Sequence, residues 1–165
     1  MDTVGFIFGI LAVLWAPVRY QFKTQKNLIL GNVLTAFLLS IHYFCYGGYT
    51  GSLVAIITGG FSLCAGFRIK EWSVFFRILF TVFAVAILWY FSPPESIFDI
   101  APLMAFSIAR FFETSSNQIH TRLGYLAATI FWLIYNSYNN LWAGVFAEML
   151  TFISNLIGIK RIKIQ

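Results

Sequence analysis

The stretch "VFAEMLTFISNLIGIKRIK", residues 145–163, is apolar almost throughout and ends in Lys160, Arg161 and Lys163. Residues 52–70, "SLVAIITGGFSLCAGFRIK", follow the same plan at an offset of 93, with Thr58 against Thr151, Leu63 against Leu156, and Arg68-Ile69-Lys70 against Arg161-Ile162-Lys163. A run of roughly 17 to 25 apolar residues crosses a bilayer as a helix. Lys and Arg at its end mark the cytoplasmic side. Two such runs with the same orientation imply a duplicated unit. Extended without gaps, the comparison of residues 1–72 with 94–165 gives 13 identities, among them Gln25/Gln118, Gly31/Gly124, Ile41/Ile134 and Gly51/Gly144. Spans, glycine turns and basic ends all stay in register.

Composition agrees with a lipid environment. The 165 residues are 59% hydrophobic and 10% charged, with 19 Phe, whereas a soluble domain carries about 25% charged residues. The net charge of +5 does not form a continuous basic face, which argues against nucleic acid as a partner. Cys45 and Cys64 fall inside apolar runs and read as small buried residues rather than a disulfide. The start, "MDTVGFIFGILAVLW", has an acid where a cleaved signal peptide would be basic, and reads as a first span that stays. Candidate spans fall near 3–18, 28–46, 50–67, 73–91, 97–112, 123–139 and 142–159, separated by breakers such as "YGGYTG" and "SPPES".

The expected fold is therefore an all-α integral membrane protein of seven transmembrane helices. Two parallel three-helix repeats, 1–72 and 94–165, are joined by a linker helix over 73–93. An odd number of linking spans is what lets two three-span units share one orientation. Arg19, Lys23, Lys26, Arg68, Lys70, Arg110, Arg122, Lys160, Arg161 and Lys163 all fall on one side, with Arg77 able to snorkel to it, while the loops 47–49, 92–96 and 140–141 carry no Lys or Arg. This puts the N-terminus outside and the C-terminus in the cytoplasm.

The 3+1+3 plan resembles the SWEET sugar facilitators and other PQ-loop-like proteins, including the vitamin-transporting Pnu family. A closer resemblance covers most of the chain: "HYFCYGGYTG" (42–51), "WLIYN" (132–136) and "AGVFAEMLTFISN" (143–155) look like the YgjV family of bacterial inner-membrane proteins. That likeness implies a multi-pass protein of the bacterial inner membrane. The chain has no Pro-Gln dipeptide, and Pro17 and Pro102 are not at equivalent positions.

Glu148 is the outstanding candidate site residue, because a charged side chain at mid-membrane costs about 2.5 kcal/mol or more and is by default functional. Thr151 and Asn155 share its helical face, with Asn155 about 10 Å further along, and Thr58 and Ser62 occupy the matching face of the third span. On spans 2 and 6 the matching stripes carry His42 and Tyr46, then Trp132 and Tyr135, with Asn136 next to them. Likeness to SWEET proteins makes Ser62 and Asn155 candidates beside a substrate. Trp132 sits mid-span, where it can stack on a flat ligand, whereas Trp15, Trp72, Trp89 and Trp142 fall near span ends. The bland alternatives are hydroxyls bonded to their own backbone, amides joining helices, and aromatics filling a core.

His42 and Cys45 alone do not make a metal site, and no metal or cofactor is expected. Nor does a nucleotide motif or a nucleophile–base set point to an enzyme. The sequence thus favours a small-molecule transporter or facilitator with a site between the repeats. The alternative is a non-transporting receptor or assembly factor on the same fold. Expected partners are the lipid bilayer and a small-molecule substrate, with self-association into a homo-oligomer left open. Reporter fusions at Gly48 and Ser92 are expected to read as periplasmic, and fusions at Lys70 and Gln165 as cytoplasmic. A cytoplasmic signal at Ser92 removes the linker helix and the parallel repeat together.

Overall fold

Apolar runs bounded by helix breakers give seven α-helices and one short 3-10 turn among the residues that the computed structural model describes, which are 3–67, 74–91, 93–94, 96–115 and 117–164. The helices are α1 (Thr3–Arg19), α2 (Gln25–Cys45), α3 (Tyr49–Phe67), α4 (Val74–Phe91), α5 (Ile100–Glu113), α6 (Gln118–Tyr138) and α7 (Trp142–Ile164), with the 3-10 turn Ile97–Asp99 leading into α5. No strand occurs among the described residues.

Local chemistry sets the ends of the helices. Thr24 caps α2 by accepting the Asn27 N–H at 3.3 Å, and 93 residues on Asn117 caps α6 by accepting the Ile119 N–H at 2.8 Å. Both helices close with the same left-handed terminus. After α2, Gly47 takes φ +79°, its N–H donates to the Phe44 carbonyl, and the Gly48 N–H reaches the Tyr43 carbonyl at 2.8 Å. After α6, Asn140 takes φ 55°, its N–H donates to the Ser137 carbonyl, and the Leu141 N–H reaches the Asn136 carbonyl at 2.9 Å. This paired 6→1 and 5→2 bonding is the Schellman motif, whose left-handed position admits Gly, and sometimes Asn, without large strain. Gly47 and Asn140 are also 93 apart.

Six helices close a ring in the order α1, α2, α3, α5, α6, α7 and back to α1. Helix α4 lies against α5, where Leu88 packs with Val54 of α3 and with Leu103 and Phe106 of α5. Close approach depends on missing β-carbons. One added at Gly31 of α2 would stand 2.8 Å from Cβ of Arg19 on α1, and one added at Gly124 of α6 would strike Cβ of Phe112 on α5. The two contacts again sit at an offset of 93.

The outer surface is apolar, with Phe6, Ile10 and Leu14 of α1 and Phe146, Met149 and Ile153 of α7 all exposed. The polar residues turn inward instead: Asn32, Ser62, Glu113, Thr121, Asn136, Glu148, Thr151 and Asn155 are buried. Among the described residues, three helices are long and apolar enough on their own to cross a membrane: Gln25–Cys45, Tyr49–Gly66 and Trp142–Ile162. Helix α1 and the Thr81–Phe91 part of α4 are apolar but shorter, and α5, at 14 residues, spans about 21 Å against a hydrocarbon core of about 30 Å.

The structure corrects two readings of the sequence. Cys64 is exposed and Cys45 half-buried rather than both interior, and neither forms a disulfide. Arg19, Arg110 and Arg122 do not lie on the surface as loop charges but are buried at 5%, 3% and 2% exposure, because each is drawn toward acceptors inside the ring. Lys23, Lys26, Lys160 and Arg161 are exposed as expected. Arg68, Lys70 and Trp72, and the side chains of Arg77 and Lys163, lie outside the described residues.

Gly31→Leu is expected to destabilise the protein by about 1–3 kcal/mol, because the added carbons are forced into Arg19. Gly60→Ala is expected to raise stability by up to about 1 kcal/mol, since nothing lies within 4 Å of a β-carbon there and alanine is the better helix former. Thermal unfolding of the two variants in detergent checks the contrast.

Candidate functional site

Several of the inward-facing polar groups form a connected cluster at the end of the ring that carries Arg19 and Lys160, here the basic end. Its centre is an ion pair between Arg110 and Glu113, one turn apart on α5. Ser62 of α3 joins both partners. Its hydroxyl accepts from Arg110 Nη1 at 2.8 Å and donates to Glu113 Oε1 at 2.9 Å. Tyr125 of α6 donates to the same carboxylate oxygen at 2.5 Å. Asn32 of α2 donates to Ser62 at 2.9 Å and in turn accepts from Arg19 of α1. Five helices thus meet through charge-assisted hydrogen bonds, the stronger kind in a low-dielectric interior.

A second joint ties α6 and α7 to the turn after α1. Arg122 donates to the Tyr20 carbonyl at 3.1 Å and the Phe22 carbonyl at 3.0 Å, and Asn155 donates to the Arg122 carbonyl at 2.8 Å. The Arg19 guanidinium lies over the Tyr20 ring, 4.7 Å from its centre. Tyr20, in the turn beyond α1, has its phenol pKa pushed up to about 12, chiefly by burial and against the lowering effect of Arg19. It is therefore a neutral hydroxyl at any physiological pH.

Above this cluster the ring encloses a cavity of about 50 Å³. Arg19 and Arg110 line its basic end, Tyr43 and Trp132 stack as part of its wall with centroids 5.7 Å apart, and Thr58 and Glu148 also line it. Glu148 is 5% exposed, and its surroundings include the Arg19 guanidinium and Thr129. The lining comes from α1, α2, α3, α5, α6 and α7. Among the residues that line it, Nε of Arg19, Nε and Nη2 of Arg110 and Oγ1 of Thr58 are buried without a hydrogen-bond partner.

The residues singled out in the sequence separate into several places. Glu148, Thr58 and Trp132 line the cavity. Ser62 and Asn155 are fully buried within the two joints just described. His42 and Tyr46 instead line a wider apolar groove of about 470 Å³ at the other end, with Phe6, Leu14, Trp142 and Phe146, and the His42 Nδ1 pairs with the Gly5 carbonyl at 2.9 Å. Tyr135 receives the Gly51 N–H at 3.0 Å and packs α6 on α3, Asn136 is pressed against Gly144, and Thr151 is buried on α7. Sequence reasoning missed Arg19 and Arg110 as interior groups and missed Glu113 altogether. The available signal was the spacing of Pro102, Phe106, Ala109, Arg110 and Glu113, which puts both charges on the buried stripe of α5.

A family model described as a bacterial inner membrane protein, Imp-YgjV, matches residues 3–165. The chain belongs to the YgjV family. It is accordingly an inner-membrane protein of the bacterial type, consistent with its apolar exterior and three helices long enough to span. No curated protein and no solved structure matches the chain.

Removing one partner of a buried ion pair leaves an uncompensated charge, so Glu113→Leu in this YgjV-family protein is expected to cost about 3–5 kcal/mol. The double variant Arg110→Leu/Glu113→Leu is expected to recover most of that loss, because no lone charge remains. Unfolding of the single and double variants in detergent reads the difference, and a double variant as unstable as the sum of both single changes contradicts the pairing.

Proposed function

We propose that this YgjV-family protein is a small-molecule transporter or facilitator, and not an enzyme, whose substrate occupies the cavity between two parallel three-helix repeats. The repeats are residues 1–72 and 94–165, joined through 73–93 in a 3+1+3 plan like that of SWEET and PQ-loop proteins, with the N-terminus outside and the C-terminus in the cytoplasm. Three correspondences at an offset of 93 support the duplication: the caps at Thr24 and Asn117, the Schellman turns at Gly47 and Asn140, and the glycine contacts Gly31–Arg19 and Gly124–Phe112. The ring order supports it too, because advancing one repeat maps α1–α2–α3 onto α5–α6–α7 and the α3–α5 contact onto α7–α1. Parallel repeats with a site between them are a recurring transporter design.

The observation that carries the functional reading is the cavity itself. Both repeats contribute to its wall, and it holds a carboxylate, Glu148, together with two guanidinium groups whose donors are not all used. A purely structural interior favours polar groups that satisfy one another. In the proposed cycle, Glu148 and the arginines take over hydrogen bonds that the substrate made to water.

Reconstituted protein is expected to move small polar metabolites into proteoliposomes faster than protein-free vesicles do. Glu148→Gln is expected to lower that flux at least about tenfold, on the scale of a lost charge-assisted bond, while size-exclusion behaviour and helicity stay unchanged. Unaltered flux through a well-folded Glu148→Gln protein removes Glu148 from the site. Absence of flux from the unaltered protein across a metabolite panel overturns transport in favour of a receptor or assembly role.

A further inference from the structure

Arg122 stands apart from the paired charges of the ring interior. Its guanidinium donates only to neutral acceptors, the carbonyls of Tyr20 and Phe22 and Oδ1 of Asn155, and no carboxylate pairs with it among the described residues. It lies over Gly158 of α7, where an added β-carbon would strike its Nη1. Arg122 also lines a pocket of about 420 Å³ at the basic end, together with Gln21 and Lys23 of the turn after α1 and Gly158 and Arg161 of α7. Lys23 and Arg161 are exposed. Arg161 is held at the pocket by a chain of hydrogen bonds: its Nη1 donates to Gln21 Oε1 at 2.5 Å, Gln21 Nε2 donates to the Ser154 hydroxyl at 2.7 Å, and that hydroxyl donates to the Pro17 carbonyl at 2.7 Å. Lys23, Arg122 and Arg161 thus share one pocket, and no carboxylate is among the described residues that line it.

Like charges gathered in one pocket favour an anion, and guanidinium and ammonium groups together suit the oxygens of a phosphate. The volume lies within the roughly 300–1,000 Å³ of small-molecule sites, so a phosphate fits with the group that it carries. Position on α7 separates a lipid from a soluble phosphate. Ile153, Ile157 and Arg161 recur at every fourth residue and so share one helical stripe, and Ile153 and Ile157 are 54% and 45% exposed. The lipid-facing side of α7 therefore runs directly into a cation of the pocket. An acyl chain lying along that stripe brings its headgroup to Arg161.

We propose that this pocket binds the phosphodiester headgroup of an anionic phospholipid, with the acyl chains along the Ile153 and Ile157 side of α7. Lys23 and Arg161 contact the phosphate oxygens, and Arg122 adds its charge while it stays on its carbonyls. Basic pockets between helices on the cytoplasmic side are suited to such headgroups. The headgroup bridges the turn after α1 to the end of α7, at the seam where the first and last helices close the ring. The binding is independent of transport, and only its assignment to the cytoplasmic leaflet rests on the orientation proposed above.

The test titrates the full chain in detergent with phosphatidylglycerol, with zwitterionic phosphatidylcholine and with glycerol 3-phosphate, and reads bound lipid by native mass spectrometry. Phosphatidylglycerol is expected to bind saturably, at least about tenfold tighter than phosphatidylcholine. Lys23→Gln and Arg161→Gln are each expected to weaken phosphatidylglycerol by about 3- to 10-fold and to leave phosphatidylcholine unchanged. Lys160→Gln removes an exposed cation that does not line the pocket, and is expected to change the affinity less than about twofold. If Arg161→Gln does not fold, Lys23→Gln and the ratio of the two lipids in the unaltered protein decide the matter. Equal binding of the two lipids, or unchanged phosphatidylglycerol affinity in Lys23→Gln, overturns the proposal. A loss in Lys160→Gln as large as in Lys23→Gln overturns the pocket in favour of general surface charge. Glycerol 3-phosphate binding as tightly as phosphatidylglycerol overturns the lipid in favour of a soluble phosphate.

Discussion

A guanidinium inside a low-dielectric ring of helices is stabilised by acceptors, and Arg110 finds its partners, Glu113 and Ser62, where several helices converge. Its carboxylate partner is one turn away on the same helix, but the pair is completed by Ser62 from α3 and Tyr125 from α6, and Ser62 is held in turn by Asn32 from α2. Further hydrogen bonds help a buried pair offset its desolvation, and here they fall chiefly on the Glu113 carboxylate. Any slide of α3 or α6 along α5 would separate these groups, so the pair fixes helix register in a way that Leu and Phe packing cannot. Arg19 extends the same constraint to α1 through Asn32.

The glycine contacts follow from this requirement. For Arg19 to reach Asn32 from α1, the two helices must approach closely at that level, and Gly31 is the residue adjacent to Asn32 that permits it. On the other side of the ring Gly124 lets α6 approach α5 at Phe112, next to Glu113 and Tyr125. Small residues at helix contacts are common in membranes because lipid gives helices no hydrophobic reason to associate. Here they also bring long polar side chains within hydrogen-bonding reach of one another.

How much of this was legible in the sequence depended on which signal each residue carried. Apolar runs broken by "YGGYTG" and Pro93-Pro94 located the seven helices to within a few residues, because length and hydropathy are local properties. The inward placement of Glu148 was legible because a carboxylate facing lipid is costly. Arg19 and Arg110 were not, because a cation at a helix end looks the same in sequence whether it faces the membrane surface or turns into the ring. His42 and Asn155 shared helical faces with other polar residues, yet His42 faces the apolar groove and Asn155 joins α7 to α6. Facing direction follows from which helices are neighbours, and that order appears only once the ring closes.

The same closure explains how Glu148 is retained. On α7 the exposed residues Phe146, Met149, Leu150 and Ile153 form the lipid-facing side, while Ala147, Glu148, Thr151 and Asn155 turn toward α1 and α6. The carboxylate therefore never meets hydrocarbon. It lies near Arg19 and Thr129 on the cavity wall, and this separates it from Glu113, which is engaged by Arg110, Ser62 and Tyr125. Both are buried carboxylates in one ring, but Glu113 joins helices through Arg110, Ser62 and Tyr125, whereas Glu148 lines the cavity. In the proposed transport reading Glu148 engages a molecule that enters, and the Arg110–Glu113 cluster beneath it keeps the surrounding helices in place while it does so.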